Sequence, residues 1–466
     1  MLESATNILA YLLLAGLLYV MAFLDERNRF MALVLGTILF PESVLFMQKP
    51  SVSPQLLFLY GFFFVEFYSH PMRFKQDFLA FPLKTVLLLI LCSRAGTEFY
   101  NGSTSLKEIF AIVWNYVNLY GYLFAAFIAG RRVDVQGFGR SFLLPTAVIC
   151  ILTIFEGLLL VNIPYKIIAS AFPINDGIYA AGSITTDSWR TRAFFTTKHP
   201  TTLGTLLMCL FVFYLSFLRG KKSWNFETIS VFILLLLAMY ICGSRTAMAC
   251  AALGVAIFMY HKIPTILKLC IVGIFAYACY FSFNYVYELF DSRGQGSSIS
   301  LRLDQLLFSY LEWQKSPIWG RGQGYIGQEI LERDAYGGRV FNHEIGGLES
   351  IVFKMMIENG AVGLVMYFLL FVYLAIWFFL CRKSVNAVTG LAITIVSAAF
   401  FSLSGHIGNN TAFSFLFMGL LLGSEVADKK KASVEELATT NEIQGVSGTK
   451  AGPARKPVSL LTRQKS

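Results

Sequence analysis

Residues 288–350 read ELFDSRGQGSSISLRLDQLLFSYLEWQKSPIWGRGQGYIGQEILERDAYGGRVFNHEIGGLES, and they form the one long polar interval inside an otherwise apolar chain. The interval contains five arginines, a run of glycines and one histidine. Apolar segments long enough to cross a bilayer lie on both sides of it. This arrangement predicts a polytopic membrane protein in which residues 287–350 form a large loop.

The overall composition also indicates a membrane protein. The chain is 56% hydrophobic and 14% charged, whereas soluble domains contain about 25% charged residues. The eight cysteines lie in or beside apolar runs without a CxxC pair, which predicts buried thiols and no disulfide framework or thiolate metal site. The net charge of +10 is what the positive-inside rule produces, so we expect no nucleic-acid partner.

The apolar runs predict an all-α polytopic membrane domain over residues 1–424, with 12 or 13 transmembrane helices. Ambiguous gaps before residue 100 leave both counts open. No cleavable signal peptide is expected, and residues 425–466 are predicted to be a disordered cytoplasmic tail. The candidate spans are 5–24, 30–47, 52–68, 77–93, 107–130, 142–162, 200–218, 227–242, 246–261, 268–286, 351–380, 385–404 and 410–424.

The orientation follows from clusters of Lys and Arg in the short loops, since these favour the cytoplasmic side. Counting spans puts every cluster on one face: Arg73 and Lys75; Arg131, Arg132 and Arg140; Arg219, Lys221 and Lys222; Lys262 and Lys268; Arg382 and Lys383; and Lys429 to Lys431. The loops 163–199 and 287–350 and the turns 243–245 and 405–410 then share the other face, which is periplasmic in a bacterial inner membrane. The positive-inside rule predicts few arginines on the periplasmic face, yet its loops contain several. Anion binding explains these arginines as a group.

The first candidate motif is WRTRAFFTTKHPTTLG, residues 189–204, which lies directly before a span. A helix N-terminus beside cations is a natural phosphate site, and Pro200 is well placed in the first turn of that helix. Arg190 and Arg192 are therefore interpreted as anion ligands. Lys198 and His199 could equally be interfacial residues that snorkel to water.

The second candidate is Arg245, in the tight turn GSRTA at residues 243–247. With almost no loop between two apolar runs, Arg245 must lie at or just inside the membrane boundary. A charge there is costly unless it is paired or faces a wet cavity, which favours a functional role. A hairpin whose arginine snorkels outward is the alternative.

The long loop supplies the remaining candidates. Residues 300–313 have helical spacing and predict an amphipathic helix that carries Arg302. The segment WGRGQGYIG, residues 319–327, contains GxGxxG without a surrounding βαβ unit, so it predicts a tight glycine turn near Arg321 that approaches a ligand or another loop element. His343, oriented by Glu344, could accept a proton from a sugar hydroxyl, with a plain surface histidine as the alternative.

Missing motifs narrow the chemistry. The sequence has no DxD, Walker, HExxH or GxSxG motif, so we expect no metal and no cofactor. Guanidinium groups would then stabilise a departing pyrophosphate, a role that a metal plays elsewhere.

Taken together, these motifs resemble the O-antigen ligase and O-antigen polymerase superfamily of bacterial inner-membrane glycosyltransferases. The resemblance covers roughly residues 190–364. It rests on Arg192 with His199-Pro200 and Leu203-Gly204; Ser244-Arg245-Thr246-Ala247; Ser300-Leu301-Arg302; Pro317 with Gly320-Arg321-Gly322; His343; and Glu358-Asn359-Gly360-Ala361-Val362-Gly363-Leu364.

The resemblance implies a GT-C-like helical fold and transfer of glycans from undecaprenyl diphosphate at the periplasmic face. It implies that Arg192, Arg245 and Arg302 bind the donor diphosphate, with Arg302 placed at the reacting centre, and that His343 activates the acceptor hydroxyl. Arg190 would join the diphosphate ligands, and His199, Glu344 and Arg321 would support them. The family often has His-Asn where this chain has His343-Glu344.

The expected function is polymerisation of undecaprenyl-diphosphate-linked repeat units of a surface polysaccharide, with membrane lipids and a chain-length regulator as further partners. A ligase that moves the glycan onto lipid A-core is the alternative. A secondary transporter of an anionic solute would need matched broken helices and mid-span charges, and Glu66, Glu156 and Lys354 form no matched pair. A non-catalytic scaffold in an export complex is a further alternative.

Overall fold

The structure, a computed structural model, describes residues 2–40, 44–46, 52–102, 105–173, 192–197, 199–219, 226–260, 298–326, 332–333, 339–340, 348, 350–403 and 409–447. Nearly all of these residues are helical. The helices are α1 (Leu2–Phe23), α2 (Glu26–Leu39), α3 (Pro54–Ser69), α4 (Pro71–Ala80), α5 (Lys84–Tyr100), α6 (Leu106–Gly130), α7 (Val135–Leu159), α8 (Ile163–Ala171), α9 (Pro200–Leu215), α10 (Phe226–Cys242), α11 (Arg245–Met259), α12 (Ser298–Gln314), α13 (Ile351–Leu380), α14 (Val385–Leu403) and α15 (Asn409–Ser447). Strands β1 (Glu332–Arg333) and β2 (Arg339–Val340) pair antiparallel.

The all-α polytopic class is confirmed. Within the described residues, six helices are long and apolar enough to cross a membrane, or seven if α4 and α5 form one bent span. The six are α1, α6, α7, α13, α14 and α15, and the shorter apolar helices are α9, α10 and α11. The predicted span 268–286 lies outside the described residues, so the count of 12 or 13 stays a prediction.

Several boundaries differ from the sequence expectation. The predicted span 30–47 is α2 (Glu26–Leu39), the predicted span 142–162 is α7 (Val135–Leu159), and α8 lies within the predicted loop 163–199. The predicted span 77–93 is two helices, α4 and α5, bent by 78°. Pro82 lies at the bend, where it removes a backbone donor and disfavours helical geometry at the preceding residue. The predicted tail boundary at residue 425 lies within α15, which continues to Ser447. Residues 425–447 are thus helical, because Ala, Glu and Lys are common there and favour a helix; residues 448–466 lie outside the described part.

The helix ends divide between two faces. On the first, the ion-pair face, Glu66 at the end of α3 pairs with Arg29 and Arg132, and Asp77 of α4 pairs with Arg131 and Arg132. Burial alone would lower the pKa of Arg132, but the nearby carboxylates raise it above its ordinary value. The loops that were predicted to be cytoplasmic and that the structure describes lie on the ion-pair face.

The other helix ends lie on the opposite face, here called the loop face. The Leu45 amide donates to the Pro173 carbonyl oxygen, and Thr196 Oγ1 donates to the Ile38 carbonyl oxygen. Ser350 Oγ donates to the Ser402 carbonyl oxygen, which ties the start of α13 to the end of α14. The loops predicted to be periplasmic and described by the structure lie on this face.

Helix α9 lies at the centre of the bundle. Apart from Thr201 at its start, every residue of α9 is buried. A helix that is apolar all round needs other protein on every side; α9 contacts α10, α11, α14 and α15. The segment before α9, which carries Arg192 and His199, is therefore held at a fixed point of the loop face.

Candidate active site

Two of the predicted diphosphate ligands meet at the turn between α10 and α11. Arg192 Nη2 donates to the Gly243 carbonyl oxygen at 3.1 Å. Gly243 has φ +68°, a conformation that favours glycine, and a Cβ there would lie 3.2 Å from Arg192 Nε. Arg245 follows as the first residue of α11, with its side chain exposed. Both guanidinium-bearing residues therefore lie at this turn.

The N-termini of α9 and α11 lie side by side at this turn. Ser244 Oγ caps α11 by accepting the Ala247 amide hydrogen, and it packs where a Cβ on Gly204 of α9 would be. Cys242 Sγ donates to the Pro200 carbonyl oxygen at 2.8 Å. Helix N-termini carry partial positive charge and open amides, so this arrangement attracts anions even before the arginines are counted.

Glu156, near the end of α7, holds the segment that carries Arg192. Its carboxylate accepts the amide hydrogens of Phe194 at 2.9 Å and Phe195 at 2.7 Å, and a hydrogen bond from Asn162 Nδ2 at 3.1 Å. Phe195 has φ +53°, an uncommon conformation for a bulky residue that these bonds maintain. Glu156 is thus used structurally, and sequence reasoning had noted it only as a possible transporter charge.

His199 is the N-cap residue of α9. Its Nδ1 accepts the Thr201 amide hydrogen at 3.2 Å and lies 2.7 Å from Thr201 Oγ1. A side chain that accepts from the open amides of a first turn stabilises the helix start. His199 therefore stabilises the start of α9, and its support of the site stays a prediction.

A second polar region forms where the glycine segment, residues 316–326, meets α13. Helix α13 is broken at Gly360, with φ 62° and ψ −160°. The amides of Arg321 and Gly322 donate to the Ile357 and Glu358 carbonyl oxygens, both at 2.9 Å. On the other side of the break, the Ala361 and Val362 amides donate to the Pro317 and Ile318 carbonyl oxygens at 2.8 and 3.1 Å. The glycine segment thus replaces the hydrogen bonds that a continuous helix would make.

The predicted tight glycine turn is confirmed, and the element it approaches is another part of the chain. Gly320, Gly322 and Gly324 all have positive φ. A Cβ on Gly320 would lie 2.4 Å from the Asn359 nitrogen. Gly360, in the motif Glu358-Asn359-Gly360, also has no room for a side chain, since a Cβ there would lie 2.5 Å from the Ile318 carbonyl oxygen.

Arg321 is presented at the surface of the glycine segment. Its guanidinium lies over the Tyr325 ring, 4.9 Å from the centroid, and Nη2 donates to the Tyr325 hydroxyl at 3.3 Å. The residue is exposed. A guanidinium group matches the geometry of an oxyanion, so Arg321 has the chemistry of an anion ligand.

Three buried charged residues beneath this segment were not identified as site residues from the sequence: Arg94 and Glu98 on α5, and Glu358 on α13. Glu98 Oε1 accepts the Gln323 amide hydrogen at 2.8 Å, and Glu358 Oε1 accepts that of Gly324 at 3.0 Å. Arg94 is 1% exposed. For Arg94 and Glu98 the available signal was their spacing of four residues directly after the predicted span 77–93, which places two opposite charges on one helix face.

The structure places the other predicted site residues as follows. Arg190, His343 and Glu344 lie outside the described residues, and Arg302 lies on α12 with its side chain outside them. Among described residues, Arg192 and Arg245 are brought together, and no described contact joins them to Arg321. The described part contains no group of three or more His, Cys, Asp or Glu residues suited to a metal ion.

Comparison with known proteins finds a family model that matches part of the chain. Residues 230–368 match the family model described as O-antigen ligase. This segment contains Arg245, Arg302, Arg321 and His343, and Arg192 precedes it. No curated protein matches the chain. The match agrees with the resemblance seen in the motifs: over residues 230–368 the chain is similar to the O-antigen ligase family.

Proposed function

We propose that the protein is an inner-membrane glycosyltransferase that polymerises undecaprenyl-diphosphate-linked repeat units of a surface polysaccharide. The observation that carries the proposal is the turn at Gly243, where Arg192, Arg245 and two helix N-termini gather positive charge. A diphosphate gains negative charge as it leaves the sugar, and donors fixed in advance at that position lower the barrier.

Each predicted site residue has its own role in the proposed transfer reaction. The acceptor hydroxyl oxygen bonds to the anomeric carbon of the donor, and the bond from that carbon to the diphosphate oxygen breaks. His343 takes the hydroxyl proton, and undecaprenyl diphosphate leaves with the bond electrons. Arg190, Arg192 and Arg245 bind the diphosphate, and Arg302 stabilises its developing charge.

The loop face is proposed to be periplasmic. Arg131 and Arg132 lie on the ion-pair face, as do the turn around Arg382 and the basic residues of α15. The positive-inside rule then makes the ion-pair face cytoplasmic. The turn at Gly243, on the opposite side, would meet substrates in the periplasm, where no nucleotide cofactor is available.

A ligase that transfers the glycan to lipid A-core is the second candidate, because the matching family model is described as O-antigen ligase. Transport of an anionic solute is less well supported by the described contacts. Two of the three in-span charges considered for it have structural partners, Glu156 in the segment before α9 and Glu66 in the ion-pair face.

The test uses the full chain in lipid nanodiscs with an undecaprenyl-diphosphate-linked oligosaccharide repeat unit. Polymerase activity yields a ladder of lengthened glycans on one lipid; ligase activity yields product only when lipid A-core is added. Both activities are expected to persist in EDTA. Wild-type turnover by both His343→Ala and Arg245→Ala would refute the site, with Arg382→Ala on the ion-pair face as the control for losing an exposed arginine.

A further inference from the structure

The glycine segment is held from beneath by two carboxylates on different helices. Glu98 on α5 bonds the Gln323 amide, and Glu358 on α13 bonds the Gly324 amide. Glu358 also receives the Ile326 amide hydrogen. Helix α5 supports the same segment through Trp319, which packs on Gly96. Four residues of the segment are therefore fixed to two membrane helices.

Both carboxylates are buried, Glu98 at 6% and Glu358 at 3% exposure. A buried carboxylate is tolerated when it accepts hydrogen bonds and when an opposite charge lies near. The backbone amides supply the hydrogen bonds. The opposite charge is Arg94, which attracts both Glu98 and Glu358 electrostatically.

Arg94 supplies charge without bonding to either carboxylate. Its Nη2 lies 3.2 Å from Met355 Sδ, and its guanidinium carbon lies 4.8 Å from the Tyr116 ring centroid. Nε and Nη1 have no hydrogen-bond partner among the residues that the structure describes. Leaving two buried guanidinium nitrogens unpaired is costly, so a hydrogen-bonding role does not account for Arg94. Its position does, since Glu98 lies one turn further along α5 and Met355, which Arg94 contacts, lies one turn before Glu358 on α13.

The segment needs such support because of its own sequence. Gly320, Gly322 and Gly324 give it access to many backbone conformations, and fixing one of them has a large entropic cost. Arg321 lies between two of these glycines. Its position relative to a ligand is therefore set by whatever holds the neighbouring amides, and those are held by Glu98 and Glu358.

We propose that Arg94, Glu98 and Glu358 form a positioning unit that fixes the glycine segment and so sets the position of Arg321 for the anionic part of the glycan donor. The inference rests on the proposed function for its ligand. None of the three residues contacts the donor; they act through the backbone of residues 321–326. Arg94 balances the charge of the two glutamates, and the glutamates hold the amides.

The first test measures the segment without any substrate. In hydrogen exchange with the full chain in nanodiscs, Glu98→Gln and Glu358→Gln should each speed exchange in the peptide covering residues 318–326 by about 10-fold or more, since a charged acceptor is lost. Glu312→Gln is the matched control, because Glu312 meets the same segment at the Tyr325 hydroxyl from α12. Unchanged exchange in both glutamate variants would overturn the proposal. An α9 peptide provides the internal reference for folding.

The second test uses turnover with the lipid-linked repeat unit. Both Glu→Gln variants should raise KM for the donor, and each should be non-additive with Arg321→Ala, because removing Arg321 leaves nothing for the unit to position. Arg94→Lys should retain more activity than Arg94→Met, which is similar in size but uncharged. Strict additivity with Arg321→Ala, or equal activity of the two Arg94 variants, would overturn the role.

The two proposals fail separately. A wild-type protein that transfers no glycan refutes the proposed function, while faster exchange in the glutamate variants would still support the positioning of residues 321–326. An active wild-type protein whose glutamate variants exchange like Glu312→Gln refutes the positioning unit alone.

Discussion

Gly360→Ala is expected to destabilise the contact between α13 and the glycine segment by about 2–6 kcal/mol. The backbone at Gly360 has φ 62° and ψ −160°, a region essentially restricted to glycine, and placing another residue there costs about 1–3 kcal/mol. The added Cβ would lie 2.5 Å from the Ile318 carbonyl oxygen and 2.6 Å from the Gly320 nitrogen. Overpacking of this kind costs about 1–3 kcal/mol more. Both contacts are with backbone atoms, so no side-chain rotation relieves them.

Two alanine controls separate the two contributions. Gly102→Ala also has a positive φ, +80°, but nothing within 4 Å of the added Cβ. Gly16→Ala, in α1, also has open space and no positive φ. We expect the midpoint of thermal unfolding in detergent, monitored by size-exclusion chromatography, to be highest for Gly16→Ala, lower for Gly102→Ala and lowest for Gly360→Ala.

Hydrogen exchange locates the effect. Gly360→Ala should increase exchange in residues 318–326 and 361–362, because the four backbone bonds across the break depend on the close approach of the two segments. The two controls should leave these amides protected. A Gly360→Ala protein as stable as Gly102→Ala, with unchanged exchange at the break, would refute the described packing.

Three further predictions concern other parts of the molecule. Arg245→Ala should lower kcat/KM for the lipid-linked repeat unit about 100-fold, as loss of one preorganised donor does in other sites, and Arg245→Lys should recover only part of it; unchanged kinetics would remove Arg245 from the site. Glu156→Gln should lower kcat/KM about 10-fold by weakening two charge-assisted bonds to the segment carrying Arg192, and exchange of the Phe194 and Phe195 amides should rise in parallel; slow exchange with lost activity would contradict this cause. Glu66→Ala should cost about 3–5 kcal/mol of stability because it leaves the buried Arg29 without its carboxylate partner, while Arg132 keeps Asp77, and thermal unfolding should show a loss larger than for any of the active-site variants.

The sequence was sufficient to predict most helices and their boundaries. Membrane spans need a minimum apolar length, so α6, α13 and α14 begin and end within a few residues of the predicted limits. The bend at Pro82 was not predicted because the apolar run continues through it. The helical extension of α15 was not predicted because polarity alone does not distinguish a solvated helix from a disordered tail.

The candidate site was predicted less completely. Arg192 and Arg245 were correctly assigned to one face, since topology determines the face. The positioning unit could not be predicted, because the approach of Arg94 to Glu358 depends on how α5 packs on α13. The motif Glu358-Asn359-Gly360 was recognised only by resemblance; its physical reason, a helix break filled by residues 316–322, requires the tertiary structure.

That break also limits how the protein can be rebuilt from parts of its relatives. The amides of Ala361 and Val362 have their acceptors in Pro317 and Ile318, and an amide left without an acceptor inside a membrane costs several kcal/mol. A chimera that exchanges the large loop without the first half of α13 would separate donors from acceptors. Loop and helix therefore constitute a single module for recombination, and grafts that change substrate choice should place their junctions after residue 362.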